Sequence, residues 1–498
     1  MTSESILFGD NNTPTNLKMS IYMKQEKDST TELTELTELT ELTELAELSE
    51  SDSDTISQSS DGITIYGASG LINSGNTCYM NSAIQVLAHL PIVANYLLTN
   101  EEDVKKILLR NFPRVYKKSD KFNLEKDYKG IPTELKQLVN SDKYDHNILS
   151  EDHATILLNC TMTFQLIRLT KQIWQENCTI SPVAFRTIFS EARNKFFYGN
   201  DQHDAEEAYS CIMQQLQEEL AVEKTIKFKT TNNKIIVYNK TRAKLIESIK
   251  PDTPASEKTK ILEELTLLRK TNPSESLICE SYREIQKVYG KSYSEVFAYV
   301  TGILFSSTNC PNLSCMYHSN KFDAFSHLSI PIPNRKNREN RDNLTIYDCL
   351  DEFTADEILD DKNLWLCEGC KEKVHAVKKL KIWINPPVLV LHLKRFNHSG
   401  NKNNTMVDYP LENLDMKKYI SDENISGKVE SKYTLQSVIL HSGGGVNSGH
   451  YFSYSKFIPS GDWLEYNDDV ITNIDDNKVI SQRAYLLVYI RNDIFKKN

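Results

Sequence analysis

The order of helix-like and strand-like segments constrains the fold of this chain more than any other feature of its sequence. From residue 380 onwards, short segments rich in β-branched and aromatic residues alternate with turn residues, which is typical of strands. They are KIWINPPVLVLHLKRF, YTLQSVILH, HYFSYSKF, WLEYND and AYLLVYI. Two helices are predicted earlier, over residues 78–90, where Pro91 would end the helix, and over residues 204–220. Helices early and strands late predict an α+β fold rather than an alternating α/β fold.

Residues 1–61 form an acidic segment of low complexity. Thr-Glu-Leu occurs five times in succession over residues 31–45, and a period of three fits neither a helix nor a strand. Residues 1–60 hold 13 acidic and 3 basic residues, so the rest of the chain holds 55 of its 68 acidic and 55 of its 58 basic residues. We therefore predict a disordered tail, and the net charge of −10 describes this tail rather than a binding surface.

Residues 221–290 are predicted to be an insertion. Residues 224–250 hold eight basic residues and one acidic residue, and Thr253 is a plausible N-cap with Pro254 at the first helical position. Basic charge can indicate nucleic-acid binding, but no recognition motif accompanies it here. We therefore expect a solvated insertion and no nucleic-acid partner.

The sequence also bears on the compartment in which the chain works. The N-terminal segment MTSESILFGDNN has no apolar h-region, so it does not resemble a secretory signal. No apolar run approaches the ~18 residues that span a bilayer. We expect an intracellular protein of the cytoplasm or nucleus, monomeric and without a membrane partner. In such a chain, the 10 cysteines favour metal binding or catalysis over disulfides.

A candidate nucleophile lies in the segment GLINSGNTCYMNS, residues 70–82. Cys78 stands at the start of the predicted helix, after a Gly/Asn turn, where free N–H groups and partial positive charge favour a thiolate. The same N–H groups can hold an oxyanion, and the side-chain amide of Asn73 is a further donor for that purpose. The alternative is a helix-start cysteine without any chemistry.

A candidate general base lies in the segment LHSGGGVNSGHYFSYSKF, residues 440–457. His450 follows a glycine-rich loop, which allows a substrate to approach the backbone closely, and then enters a rigid strand. A Cys–His pair needs a third group that accepts a hydrogen bond from the imidazole. Asn467 and Asp468 can both do this, and their spacing does not choose between them.

Four other cysteines are spaced as metal ligands. Cys310 and Cys315 are separated by four residues, and Cys367 and Cys370 by two. Both spacings fit pairs of zinc ligands, and four-cysteine sites are structural. Such a zinc ion would have a structural and not a catalytic role.

These segments together resemble the ubiquitin-specific protease family of deubiquitinases. GLINSGNTCYMNS is similar to its cysteine box, and the stretch from Gly443 through GHYFSY to WLEYNDD is similar to its histidine box. SPVAFRTIF and GNDQHDAEEAYSCIMQQL are similar to its middle box, although Ala208 replaces an aromatic residue there. The resemblance covers residues 68–491, including a finger region at about 300–380. It implies a papain-like core with thumb, palm and zinc-bearing fingers.

The resemblance also implies roles for individual residues. It makes Cys78 the nucleophile, His450 the base, Asn73 the oxyanion donor, and Asn467, followed by the acidic Asp468, the third triad position. It implies that Asp204, Gln202 and Gly449 contact the substrate, with Asp204 holding the backbone of the ubiquitin tail. The implied activity is hydrolysis of isopeptide or peptide bonds after the C-terminal glycine of ubiquitin.

Two other functions fit the same segments. One is a catalytically inactive module that only binds ubiquitin, and the other is a protease for a different ubiquitin-like modifier. An intact Cys/His/Asn set argues against the first, because inactive relatives commonly lose one member. The second differs only in its substrate, which sequence spacing does not determine.

Overall fold

A computed structural model of the chain describes most residues between 67 and 495. The described ranges are 67–117, 131–175, 177–192, 197, 199–228, 230, 232–290, 292–315, 317–334, 344–397, 399–422, 430–445, 448–457 and 460–495, together with strands at Ser3–Asp10 and Leu17–Ser20. These two strands lie within the segment for which disorder is predicted, and the first pairs in parallel with Thr225–Phe228. The rest of residues 1–61 lies outside the described residues, so the disorder stays a prediction.

Fourteen α-helices occur in the described ranges, most of them before residue 301. They are α1 Cys78–Ala88, α2 Pro91–Thr99, α3 Glu101–Lys117, α4 Thr133–Asn140, α5 Glu151–Asn159, α6 Met162–Gln175, α7 Val183–Ala192, α8 Ala205–Leu220, α9 Asn233–Glu247, α10 Ala255–Thr271, α11 Pro273–Gly290, α12 Glu295–Val300, α13 Ile346–Phe353 and α14 Asp476–Val479.

The strands of the described ranges lie mostly after residue 301. They are β1 Ser3–Asp10, β2 Leu17–Ser20, β3 Gly70–Leu71, β4 Thr179–Ile180, β5 Thr225–Phe228, β6 Gly302–Asn309, β7 His318–Phe325, β8 Leu328–Ile330, β9 Leu344–Thr345, β10 Glu357–Ile358, β11 Trp365–Leu366, β12 Lys373–Val374, β13 Val377–Ile384, β14 Val388–Leu393, β15 Val407–Asp408, β16 Leu414–Asp415, β17 Lys432–Gly445, β18 Ser448–Lys456, β19 Trp463–Asn467, β20 Val470–Ile474 and β21 Ala484–Arg491. Helices early and strands late confirm the predicted α+β class.

The palm is a large mixed sheet with the order β20-β19-β18-β17-β21-β14-β8, to which β16 adds by pairing with β17. Adjacent strands in this sheet are antiparallel, except for the parallel pair β14 and β8. All six residues of β14 are buried, as expected of a strand covered on both faces. The long hairpin of β17 and β18 carries the glycine-rich loop at its tip, and so presents His450 on a rigid strand.

The thumb is the helical layer from α1 to α8, which packs against the palm. Every residue of α1 is buried, because the helix is wedged between β18 and α8. The prediction that Pro91 ends this helix at residue 90 is wrong in detail. The helix ends at Ala88, and Pro91 is the first residue of α2, where its missing N–H costs nothing.

A buried carboxylate ties the thumb together. Glu219, near the end of α8, is 1% exposed and accepts hydrogen bonds from the backbone N–H groups of Met162 and Thr163, at 3.0 and 2.8 Å. It therefore caps the N-terminus of α6, whose free N–H groups favour negative charge. The Tyr116 hydroxyl donates to the same carboxylate at 2.6 Å.

The fingers comprise the sheet β10-β13-β6-β7 and the small hairpin β11-β12. Residues 221–290, predicted to be an insertion, form β5 and helices α9 to α11. These helices pack on the finger sheet through an apolar cluster that includes Phe305, Phe322 and Trp383. The predicted cap at Thr253 is displaced by one residue, because Pro254 is the N-cap and the helix begins at Ala255.

No single helix among the described residues is both long and apolar enough to cross a membrane. Helices α1 and α2 satisfy the length and composition criteria only when taken together, and they bend by 76° at the break between them.

Candidate active site

The turn before α1 is shaped by residues that tolerate left-handed backbone. Gly75 has φ 92° and Asn76 has φ 52°, so the SGNT sequence can reverse direction immediately before Cys78. The side-chain oxygen of Asn73 accepts a hydrogen bond from the Thr77 backbone N–H at 2.9 Å. The turn thereby fixes Asn73 beside the first residue of the helix.

Cys78, His450 and Asn467 are brought together although they are distant in sequence. Cys78 is the first residue of α1 and is 3% exposed. Nε2 of His450 lies 2.6 Å from Oδ1 of Asn467, which is at the end of β19. With Nε2 directed to Asn467, Nδ1 is the ring nitrogen that remains for the Cys78 thiol.

Contacts on both sides of the ring raise the pKa of His450 from 6.5 to about 9. The hydrogen bond with Cys78 is the largest cause, and burial opposes it. The hydrogen bond with Asn467 and the electrostatic contributions of Cys78 and Asp468 add to the increase. The site therefore stabilises an imidazolium, which is the partner that a cysteine thiolate requires.

Asp468 contacts different groups from Asn467. It follows β19 in a two-residue turn with φ 52°, and its side chain is 11% exposed. Its carboxylate lies 3.8 Å from His450 Nε2 but only 2.9 Å from Asn73 Nδ2 and 2.9 Å from Asn81 Nδ2. Asn467 is thus the residue in hydrogen-bonding contact with His450, and Asp468 holds the amide of Asn73.

Asn81 is a polar contact that the sequence reasoning did not single out. It lies in the same short segment as Cys78, three residues further along α1, and its side chain is 2% exposed. The sequence does carry a signal for this residue, which is an asparagine one helical turn after the nucleophile. If its amide is buried there, it needs a polar partner within the site.

Gln202 and Gly449 contact each other. The Gln202 side-chain amide donates to the Gly449 carbonyl at 2.8 Å and accepts from the Gly449 N–H at 3.0 Å. This two-point contact holds the residue immediately before His450. A Cβ at Gly449 would lie 2.3 Å from Nε2 of His441 and 2.6 Å from the Ser442 carbonyl oxygen, so glycine is needed for this close approach.

Asp204 is the N-cap of α8. The helix predicted over residues 204–220 therefore begins one residue later, at Ala205. Its carboxylate accepts from the Glu206 N–H at 2.7 Å and from the Tyr485 hydroxyl at 2.5 Å. Burial raises the pKa of the Asp204 carboxyl, although these hydrogen bonds oppose the increase. Partial desolvation of its carboxyl and the neighbouring carboxylates Asp204 and Glu206 also raise the pKa of Glu207, on the same turn.

The four predicted metal ligands converge at the far end of the fingers. The sulfur atoms of Cys310, Cys315, Cys367 and Cys370 all lie within 4.8 Å of one another. Cys310 Sγ is 3.9 Å from Cys370 Sγ, and Cys315 Sγ is 3.6 Å from Cys367 Sγ. Four thiols at this spacing suit a tetrahedral metal, so the cluster could hold a structural ion.

A family model described as ubiquitin carboxyl-terminal hydrolase matches residues 69–489. The chain belongs to this family. Its members are cysteine peptidases that act as deubiquitinases, so the predicted family, enzyme class and activity are confirmed. The match spans the thumb, palm and fingers.

Relatives agree with this assignment. A probable ubiquitin carboxyl-terminal hydrolase of Acanthamoeba polyphaga mimivirus is 43% identical over 432 residues, which cover 86% of this chain and 92% of the relative. Ubiquitin carboxyl-terminal hydrolase 3 of Homo sapiens is 40% identical over 206 residues, covering 40% of this chain and 39% of the human protein. Ubiquitin carboxyl-terminal hydrolase 2 of Bos taurus is 27% identical over 429 residues, which cover 85% of this chain and 55% of the bovine protein.

A solved structure has the same fold. The SAGA DUB module Ubp8/Sgf11/Sus1/Sgf73 bound to monoubiquitin gives a TM-score of 0.53 at 22% identity, covering 91% of this chain and 74% of that chain. At this identity the likeness concerns the fold alone. It bears out the predicted architecture of a helical thumb, a sheet palm and fingers.

Proposed function

We propose that the chain hydrolyses the bond after the C-terminal glycine of ubiquitin, with Cys78 as nucleophile and His450 as its base. The observation that carries the proposal is the placement of one imidazole between the Cys78 thiol and the amide oxygen of Asn467, 2.6 Å from Nε2. This is the nucleophile, base and orienter arrangement of a thiol protease.

The acylation step follows from these contacts. His450 takes the Cys78 proton, and Asn467 holds the imidazolium in the orientation that gives the proton back. The thiolate attacks the carbonyl carbon of the terminal glycine. The resulting oxyanion is stabilised by the free N–H groups in the first turn of α1 and by the Asn73 amide. Only one Nδ2 hydrogen of Asn73 is used by Asp468, so the other remains for the oxyanion.

The second half of the reaction uses the same groups in reverse. The carbon–nitrogen bond breaks as the His450 imidazolium protonates the leaving amine, and a thioester to Cys78 remains. A water molecule then transfers a proton to His450 and attacks the thioester carbonyl. The products are a free ubiquitin carboxylate and the restored Cys78 thiol.

The substrate tail is proposed to lie beside α8 and the glycine-rich loop. Two glycines offer no side chains, so recognition must use their backbone, and the half-buried Asp204 carboxylate is a suitable acceptor for backbone N–H groups. Gln202 supports this groove by holding Gly449.

Zinc is the metal that we propose for the four-cysteine cluster. All four donors are sulfur, a set that selects zinc among the common structural metals. A Cβ at Gly369 would lie 2.5 Å from Cys315 Sγ, so this glycine allows the loop to close around the ligands. The ion would hold the finger hairpins together, about one equivalent per chain.

The decisive experiment is labelling with a ubiquitin bearing a C-terminal electrophile. We expect the adduct to map to Cys78 by mass spectrometry, and we expect Cys78→Ala to bind ubiquitin without cleaving a C-terminal fluorogenic amide. Binding without labelling of the wild-type protein would instead identify an inactive ubiquitin-binding module. Labelling only by another modifier in a parallel panel would identify a different substrate.

A further inference from the structure

Asn81 touches no group that reacts, yet it lies at the junction of three parts of the site. Its Nδ2 donates to Asp468 Oδ1 at 2.9 Å. The same nitrogen lies 3.3 Å from the carbonyl oxygen of Leu71 and 3.4 Å from that of Ile72. Asn81 therefore joins the nucleophile helix, the segment before it and the turn that carries Asp468.

The hydrogen bonds that hold the Asp468 carboxylate come from two side-chain amides. Oδ2 accepts from Asn73 and Oδ1 accepts from Asn81, each at 2.9 Å. Within the described ranges, the one basic side chain within 4.0 Å of the carboxylate is His450, at 3.8 Å. Removing one amide would leave an oxygen of a largely buried carboxylate without its donor, and the group would then rotate or draw in water.

These contacts close a ring around the nucleophile. Asn81 and Thr77 both belong to the helix start, three residues after and one residue before Cys78. Asn81 holds Asp468, Asp468 holds the Asn73 amide nitrogen, and the Asn73 amide oxygen accepts from the Thr77 N–H at 2.9 Å. Each member restrains the next, so the direction of the Asn73 amide depends on a residue that it does not contact.

We propose that Asn81 is a positioning residue for catalysis, which keeps the Asn73 amide directed at the oxyanion by holding the Asp468 carboxylate. The inference rests on the proposed function, because Asn73 matters in this way only if an oxyanion forms beside Cys78. Asn81 is 2% exposed and does not reach the substrate groove, so its contribution falls on the chemical step rather than on substrate binding.

The test is Asn81→Leu, which keeps the number and branching of the side-chain heavy atoms and removes the donor. Misdirecting the Asn73 amide should lower kcat by ~10- to 100-fold, which is less than the ~100- to 1000-fold cost of removing an oxyanion donor outright. KM for a ubiquitin fluorogenic amide, and ubiquitin affinity measured in a Cys78→Ala background, should stay within about twofold. A kcat within threefold of wild type in a folded protein would overturn the inference, and so would an effect confined to KM.

Gln85→Leu is a matched control on the same helix. Gln85 is also 2% exposed, and its amide donates to the Ser69 carbonyl at 2.9 Å, but it does not touch Asp468. It should lower the melting temperature about as much as Asn81→Leu while leaving kcat within about threefold. An equal loss of kcat in both variants would show that Asn81 acts only through general packing.

A double-mutant cycle with Asp468→Ala tests the route of action. If Asn81 works through Asp468, then Asn81→Leu should cost less than about threefold in the Asp468→Ala background. Independent effects, in which the two losses multiply, would contradict the ring of contacts. Wild-type protein that fails to react with the ubiquitin electrophile would refute the proposed function itself, which distinguishes the two failures.

If Asn81→Leu does not fold, a second pair of variants tests whether the contact between Asn81 and Asp468 supports catalysis. Asn81→Asp keeps the shape but places two carboxylates against each other, so both the melting temperature and kcat should fall. Adding Asp468→Asn restores one amide and one carboxylate, which can again hold Asn73. We expect kcat to recover by about tenfold over Asn81→Asp alone, as for a restored hydrogen bond to a charged group. No recovery would refute the role of this contact.

Discussion

Replacing Asn467 by alanine tests which residue orients the base. The substitution removes the 2.6 Å hydrogen bond to His450 Nε2 and leaves Asp468, at 3.8 Å, in place. A hydrogen bond to a charged group contributes roughly 1.5–3 kcal/mol, and the His450 side chain is 38% exposed, so solvent reduces this to about 1.5–2 kcal/mol. The expected loss in kcat/KM is therefore ~10- to 30-fold.

The same substitution should change the pH dependence. Contacts with Cys78, Asn467 and Asp468 raise the pKa of His450 to about 9, so its proton is held through neutral pH and lost as the pH rises through that value. Above it, His450 cannot protonate the leaving amine, and the rate should fall. Without Asn467 one of the raising contributions disappears, so the alkaline limb should move to lower pH.

The assay is hydrolysis of a ubiquitin C-terminal fluorogenic amide, with kcat/KM measured from neutral pH to above the expected alkaline limb. Asn467→Asp is the conservative control, because a carboxylate also accepts from the imidazolium, and it should retain most activity. Glu465→Ala is the neighbouring control, since Glu465 contacts Asn467 only at 3.4 Å. Wild-type rates and an unmoved limb in Asn467→Ala would refute the assignment, particularly if Asp468→Ala moved the limb instead.

Three further predictions concern the surroundings of the site. Gly449→Ala should lower kcat/KM by more than about tenfold in the same assay, because its Cβ would lie 2.3 Å from His441 Nε2 and displace the base loop; unchanged activity would contradict this. Asp204→Ala should raise KM and cost ~1 kcal/mol of unfolding free energy as a lost helix cap, measured by kinetics and urea unfolding; an unchanged KM would remove its proposed substrate contact. Chelation or Cys367→Ser should release about one zinc per chain by elemental analysis and lower the melting temperature, whereas a metal-free preparation of unchanged stability would exclude a structural zinc.

The catalytic residues could be predicted because each belongs to a segment with its own local signal. Cys78 follows a turn that needs glycine and asparagine, and His450 follows glycines that permit a close approach. Spacing alone could not choose between Asn467 and Asp468, since adjacent residues differ only in the direction of their side chains. The left-handed φ of Asp468 turns its carboxylate away from His450 and towards Asn73 and Asn81.

The helices between residues 101 and 175 had no assignment from the sequence, and the reason is physical. Helix α6 buries the polar side chains of Thr163, Gln165 and Thr170 among its apolar residues, so its buried face is not a continuous apolar stripe in the sequence. Its N-terminus is capped by Glu219, which lies 57 residues from Met162. Capping rules that rely on neighbouring residues cannot detect a cap supplied by another helix.

The position of Pro91 shows a related limit. A proline is compatible both with the end of one helix and with the start of the next, and the sequence around Pro91 does not say which role it takes. Pro254 is similar, because it is the cap residue itself rather than the first residue of its helix. Local rules located both boundaries to within two residues.

The apolar cluster shared by helices α9 to α11 and the finger sheet has a practical consequence for shortening the protein. Trp383 is completely buried, and Phe322 is 7% exposed, because residues 221–290 cover that side of the sheet. A deletion that joined residue 220 directly to residue 291 would expose an aromatic patch to solvent. This patch would lie on a four-stranded sheet. Such a truncated enzyme should aggregate unless Phe305, Phe322 and Trp383 were made polar at the same time.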